Sequence, residues 1–168
     1  DGNPYVVYTP YKNKWKENFN PSVHLVNHEI DFDNFFSKAD FPLLTLENLG
    51  FEASKIKVDP YLVTKDLIQN YEATRNYPSI HNGTSRLGPH LRFGTVSIRK
   101  MVRKAIEEEN EVFWNELIWR EFFMQILWHF PHTINKAFKP KYDRIEWRNN
   151  EAEFEKWKNG QTGYALVD

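Results

Sequence analysis

Val112-Phe113-Trp114-Asn115-Glu116-Leu117-Ile118-Trp119-Arg120-Glu121-Phe122-Phe123-Met124-Gln125-Ile126-Leu127-Trp128-His129-Phe130, stopped by Pro131, is the stretch on which the fold turns. It has no internal glycine or proline, and a proline ends a helix at its edge, so it predicts one long α-helix. At about 100° per residue measured from Glu116, Arg120 lies at about 40°, Trp119 at about 300° and Phe123 at about 340°. One narrow sector thus holds a carboxylate, a guanidinium, an indole and a phenyl ring. A second polar stripe of Glu121, Gln125 and His129 runs from about 140° to 220°. Nearly everything else is large and apolar, which predicts a helix surrounded by protein. Glu116 and Arg120, four apart, can bridge each other beside a core tryptophan. They can equally line a cavity for a flat, hydrogen-bonding ligand, since a charged pair among rings is costly without a polar partner.

Upstream, apolar positions 98, 101, 102, 105 and 106 follow Ser97, a good N-cap, and predict another helix. Before it stands Gly83-Thr84-Ser85-Arg86-Leu87-Gly88-Pro89-His90-Leu91-Arg92-Phe93-Gly94. Its glycines allow tight turns and close approach, Thr84 and Ser85 can cap or donate, and Arg86 carries a planar charged fork. The segment reads either as a phosphate loop or as a capped loop with a surface arginine. Positions 62, 63, 67, 68 and 71 form a helical stripe extending to Arg75 or Asn76, ahead of Pro78. On it Tyr71 and Arg75 stand four apart, a pairing that by itself describes a solvated helix end. Residues 20–60 are punctuated by Pro21, Pro42 and Pro60 and predict a connection with short helical turns, one at Leu46–Leu49 before Gly50. Tyr5-Val6-Val7-Tyr8-Thr9 predicts a buried strand, and Tyr11–Phe19 a short helix carrying Trp15 and Phe19. Downstream, Trp147 precedes a short helix around Glu151–Lys158, and Gly160-Gln161-Thr162-Gly163 is a loop. The fold class expected is mainly α.

Composition bounds the function. The 168 residues are 40% hydrophobic, 27% charged and 16% aromatic, a load that suits a thick core or a site that stacks planar rings. The net charge of −1 creates no global field for polyanions. A local one exists between Thr84 and Lys104, where Arg86, Arg92, Arg99, Lys100, Arg103 and Lys104 stand without an acid. Cysteine is absent and the six histidines lack zinc-like spacing, so neither disulfides nor a metal centre is expected. No apolar run reaches membrane-spanning length and no secretory signal is present, which makes a cytoplasmic protein with no membrane partner the expectation.

Taken together, these stretches resemble the photolyase/cryptochrome family of blue-light flavoproteins. The residues carrying the likeness are Tyr71 with Arg75-Asn76-Tyr77-Pro78, the run Gly83–Gly94, Asn115–Phe122, and Gly160-Gln161-Thr162-Gly163-Tyr164-Ala165-Leu166-Val167-Asp168. The resemblance implies residues 1–19 as the end of an α/β antenna domain and 20–60 as the interdomain connector. It implies 61–168 as the first part of the all-α FAD-binding domain. It further implies that Tyr71, Thr84, Ser85, Arg86, Leu87, Gly88 and Phe113 bind FAD. Gly88 stands where the commoner pattern has serine, Phe113 where some relatives have tryptophan with Trp114 displaced by one, and Ala165 where proline is usual. Arg75, Glu116, Trp119, Arg120 and Phe123 are implied to face DNA. Glu116 and Trp119 would hold a flipped pyrimidine dimer, and Trp147 would be the outermost member of an electron-transfer chain.

The implied activity is light-driven splitting of cyclobutane pyrimidine dimers in DNA by electron transfer from reduced FAD, the work of a deoxyribodipyrimidine photolyase. Glu116 favours this over a cryptochrome-type photoreceptor, whose usual residue there is glutamine. A non-enzymatic helical module binding nucleic acid through its basic face is a third reading. An antenna chromophore of folate or deazaflavin type is expected on an upstream domain, damaged DNA as the partner, and a monomer at full length. The chain alone is expected to hold FAD poorly and repair nothing.

Overall fold

The computed structural model describes residues 2–26, 31–35 and 42–168, and every regular element among them is helical. In chain order the α-helices are α1 (Tyr8–Asn18), α2 (Pro21–His24), α3 (Lys65–Thr74), α4 (Gly88–Arg92), α5 (Ile98–Glu107), α6 (Glu111–His129) and α7 (Glu151–Lys158). The chain divides into two compact units, residues 1–125 and 126–168, the division falling within α6. No helix among the described residues is long and apolar enough to cross a membrane.

The first unit is built on one apolar cluster. Leu67 and Ile68 of α3, Leu87 beside α4, Met101, Val102 and Ala105 of α5, and Phe113 and Leu117 of α6 are all buried together. Ile68 and Met101 are fully enclosed. Each of these side chains larger than Ala105 contributes about 1.5–3 kcal/mol relative to exposure, so three helices and the glycine loop are held by one set of contacts.

Side chains set where the helices begin. Thr64 accepts from the Leu67 N–H, Ser97 from Lys100, and Asn110 from Phe113, each satisfying an amide that a helix start leaves without a partner. Asn110 also donates to the Ile68 carbonyl at 2.7 Å, tying the start of α6 to the middle of α3. The Thr64 cap explains why α3 begins at Lys65 rather than at Leu62. The Leu62 N–H is committed instead to the Ser85 carbonyl at 2.8 Å. In the second unit, the Asp168 carboxylate accepts from the Thr162 and Gly163 amides at 2.8 Å and closes the loop after α7.

Two expectations are corrected. The run Tyr5–Thr9 is no buried strand among the described residues. Val7 keeps extended dihedrals, but Tyr8 and Thr9 open α1, and Tyr5, Val6 and Val7 are 39%, 51% and 58% exposed. A strand needs a neighbouring strand to take its N–H and C=O groups, and here the Tyr5 carbonyl is met instead by the Gln125 side-chain amide at 2.8 Å. Nor is α6 surrounded by protein. Phe113, Leu117, Ile118 and Phe122 are buried, whereas Phe123, Met124, Leu127 and Trp128 are exposed. The cluster takes its buried α6 members, Phe113 and Leu117, from the first half of the helix.

Candidate functional site

The pairing expected within α6 does not form. Glu116 instead makes an ion pair with Arg75 at the end of α3, and Arg120 donates to the Leu91 carbonyl of α4 at 3.3 Å. A cross-helix partner won over the neighbour four residues away because burial of Leu67, Ile68 and Phe113 brings α3 against α6. Arg75 thus is not on a solvated helix end. Its guanidinium also stands 5.8 Å from the Tyr71 ring centre. Tyr71 meets Phe113 edge-on at 5.1 Å and 89°. Phe113 is 2% exposed and therefore a core support for the Tyr71 ring.

Electrostatics follow this arrangement. Hydrogen bonding to Glu116 pushes the Arg75 guanidinium further above its ordinary range. Burial, then the Glu116 charge, pushes the Tyr71 hydroxyl up. The pair is partly open to solvent, with side-chain exposures of 30% for Arg75 and 36% for Glu116. Glu116 Oε2 makes no hydrogen bond among the described residues and is available to an incoming donor.

Trp119 occupies a stack that its sequence neighbourhood does not announce. Tyr8 lies face to face with it at 3.5 Å and 7°, and Phe123 stacks with it at 5.5 Å and 22°. The Tyr8 hydroxyl donates to the Asn115 carbonyl at 2.9 Å, and burial followed by the Glu116 and Glu111 charges raises its pKa to about 12. Trp114 turns away from this site to pack against Trp15, Phe19 and the Lys16 ammonium.

The glycine loop joins the same assembly. Gly83 is pressed against the Thr74 and Ile80 carbonyls, which a Cβ would meet at 3.1 Å, and Thr74 donates to the Gly83 carbonyl at 2.9 Å. The loop therefore starts against Thr74, the residue before Arg75. Arg86 adopts φ +54, a left-handed conformation costly to a residue with a Cβ, and Leu87 follows in the right-handed region. Alternation of this kind turns successive amides toward one side, the geometry of an anion nest. Among the described residues, none of the N–H groups from Thr84 to Gly88 donates a hydrogen bond. Ser85 and Leu87 are buried, and Thr84 and Gly88 are exposed. A side chain at Gly88 would meet nothing within 4 Å, so the missing hydroxyl there is not imposed by space.

Much of the basic run is engaged. Arg86 pairs with Asp59 at 2.9 Å, Arg99 donates to the His24 carbonyl, Arg103 to that of Leu25, and Lys104 pairs with Glu108. Trp147 lies in the second unit and is 72% exposed. No group of His, Asp and Glu among the described residues is arranged to hold a metal ion.

Residues 113–168 match the family model described as the FAD binding domain of DNA photolyase. The chain is 33% identical to the deoxyribodipyrimidine photo-lyase of Halobacterium salinarum, over 99% of this chain and 39% of that protein. It is 33% identical to that of Synechococcus, over 99% of this chain and 40% of the relative. With the Escherichia coli enzyme of the same name it shares 29% over 98% of this chain and 38% of the relative. The chain thus spans about two fifths of the length of these relatives. No solved structure matches. The matched region opens at Phe113, the residue that packs against Tyr71, and the likeness to these photo-lyases runs across almost every residue of the chain.

Proposed function

We propose that this chain supplies part of the cofactor cradle and lesion-facing surface of an enzyme that splits cyclobutane pyrimidine dimers in DNA, using light and reduced FAD. The observation that carries this reading is the Arg75–Glu116 pair, with Arg75 beside a Tyr71 ring that packs on Phe113, together with a loop of uncommitted amides. In domain terms, residues 61–168 are the first part of the helical FAD-binding domain, with 20–60 as connector and 1–19 as the end of an antenna domain.

The loop residues suit a diphosphate. Consecutive N–H groups from Thr84 to Gly88, with the exposed Thr84 hydroxyl, offer donors to an anion without disturbing an existing bond. Tyr71 supplies an aromatic edge nearby. Bound, reduced and excited by light, FAD supplies one electron to the lesion and receives it back. The remaining work is positional. Lesions pair weakly, which lowers the cost of extruding them from the duplex. Arg75 holds one oxygen of Glu116, leaving the other to accept a hydrogen bond from a pyrimidine N–H. Arg120, fixed to the Leu91 carbonyl, places a second guanidinium on the same sector of α6. For Trp119 to stack on a flipped base, Tyr8 has to leave its face. The exposed ring of Trp147 suits exchange of electrons with reductants in solution.

The test is restoration of a single-stranded oligonucleotide carrying one thymine dimer by the full-length protein under blue light. Glu116→Ala is expected to slow restoration about tenfold or more, the loss of one hydrogen bond to a charged group. Full-length protein that binds FAD but restores nothing would favour a photoreceptor.

A further inference from the structure

The glycine loop is strapped by a segment outside the set of residues that the resemblance implies. Arg86 Nη1 donates to Asp59 Oδ2 at 2.9 Å. His90 Nε2 lies 3.0 Å from the Asp59 carbonyl, and the Tyr61 ring meets His90 edge-on at 5.0 Å. The Leu62 N–H reaches the Ser85 carbonyl. The second arm of the Arg86 fork donates to the His81 carbonyl and to His81 Nε2, both at 3.0 Å. A guanidinium has no acceptor, so that ring nitrogen receives the hydrogen bond.

Between strap and loop lies an open groove of about 550 Å³ lined by Ile56, Lys57, Val58, Asp59, Arg86 and Pro89. It holds two cations. Arg86 is neutralised by Asp59, whose side chain is 70% exposed, while Lys57 has no ion-pair partner among the described residues. A groove beside uncommitted amides, with one free ammonium and one guanidinium held by a solvent-facing carboxylate, is suited to exchange one anion for another. An exposed pair of this kind is worth about 0.2–1 kcal/mol, little against a multiply charged competitor.

We propose that residues 57–59 form the outer wall of the phosphate site, with Lys57 a further phosphate-binding residue and Asp59 the resident counter-ion that phosphate displaces from Arg86. The inference deepens the proposed FAD reading and rests on it for the identity of the ligand. Lys57 adds affinity for a diphosphate, and Asp59 subtracts from it. An empty site then keeps Arg86 paired and its left-handed backbone held.

Inorganic pyrophosphate titrated into this chain by calorimetry tests the proposal. Asp59→Asn is expected to tighten binding about 3- to 10-fold. Lys57→Ala is expected to weaken it about as much, to reduce the slope of log affinity against log salt by about one, and to be rescued by Lys57→Arg. Both side chains are at the surface, and unchanged far-UV circular dichroism checks the fold. Affinities equal to wild type, weaker binding by Asp59→Asn, or no pyrophosphate binding at all would overturn the proposal. Flavin absorbance of full-length protein with the same substitutions separates the two claims. FAD retained without the pyrophosphate trend leaves the FAD reading standing and this inference refuted. The trend without FAD supports the anion site and refutes the cofactor.

Discussion

Two arginines bracket the candidate site, and each is held by a carboxylate. Arg75 meets Glu116 on α6, within reach of Tyr71, whose ring packs on Phe113. Arg86 meets Asp59 on a connector segment without regular structure. The chemistry of the pairs is the same and their supports differ. Glu116 projects from a helix whose neighbouring residues are core, so its carboxylate has little freedom to leave. Asp59 hangs from a strap fastened by a few hydrogen bonds, with a side chain 70% exposed. A counter-ion on a helix anchored in the core fixes geometry, and one on a loop can be traded for a ligand.

The largest way to break this contrast is to remove the core ring that supports Tyr71 beside one pair. Phe113→Ala deletes a ring that is 2% exposed and is expected to destabilise the first unit by about 3–5 kcal/mol in urea denaturation. Asp59 has no such support, so a contrast in stability should be absent there. Next in size are the pairs themselves. Double-mutant cycles of Arg75→Met with Glu116→Gln, and Arg86→Met with Asp59→Asn, are expected to give a coupling of about 1 kcal/mol for the first. About half of that or less is expected for the second, consistent with its exposure. Equal couplings would mean that the supporting element does not matter.

The smallest effect sharpens the electrostatics. The Tyr71 hydroxyl is pushed up by burial first and by Glu116 second. Because its folded value lies above the unfolded one, the neutral phenol contributes stability below the ordinary tyrosine value. That contribution is lost as pH rises through the folded value. Glu116→Gln removes the second cause, so Tyr71 is expected to titrate lower than in the wild type while Asp59→Asn leaves it unmoved. NMR titration of the Tyr71 ring checks both.

The helices were legible where apolar spacing was regular and a capping residue preceded it. Ser97 before α5, the Leu46–Leu49 turn closed by Gly50 at φ +82, and α7 over Glu151–Lys158 are all examples. Legibility failed where a position had several partners to choose from. Spacing offered Arg120 to Glu116, yet Arg75 took it, because the packing of Ile68 and Phe113 set two helices side by side. Tyr8 against Trp119 had no signal in sequence at all. A ring of that type predicts burial, not which of many rings it will meet.

By itself, the sequence determined the helical class, the glycine loop, the sector of α6 that carries charge among rings, and the likeness to photolyases. Those properties depend on local backbone preference, periodicity and short motifs, which neighbours a few residues apart decide. Only the tertiary structure decided which carboxylate each arginine holds, that Tyr8 covers Trp119, and that residues 57–59 lie against Arg86. Such pairings join residues far apart in the chain. The free energy that selects them comes from burying the shared core, which no local stretch contains.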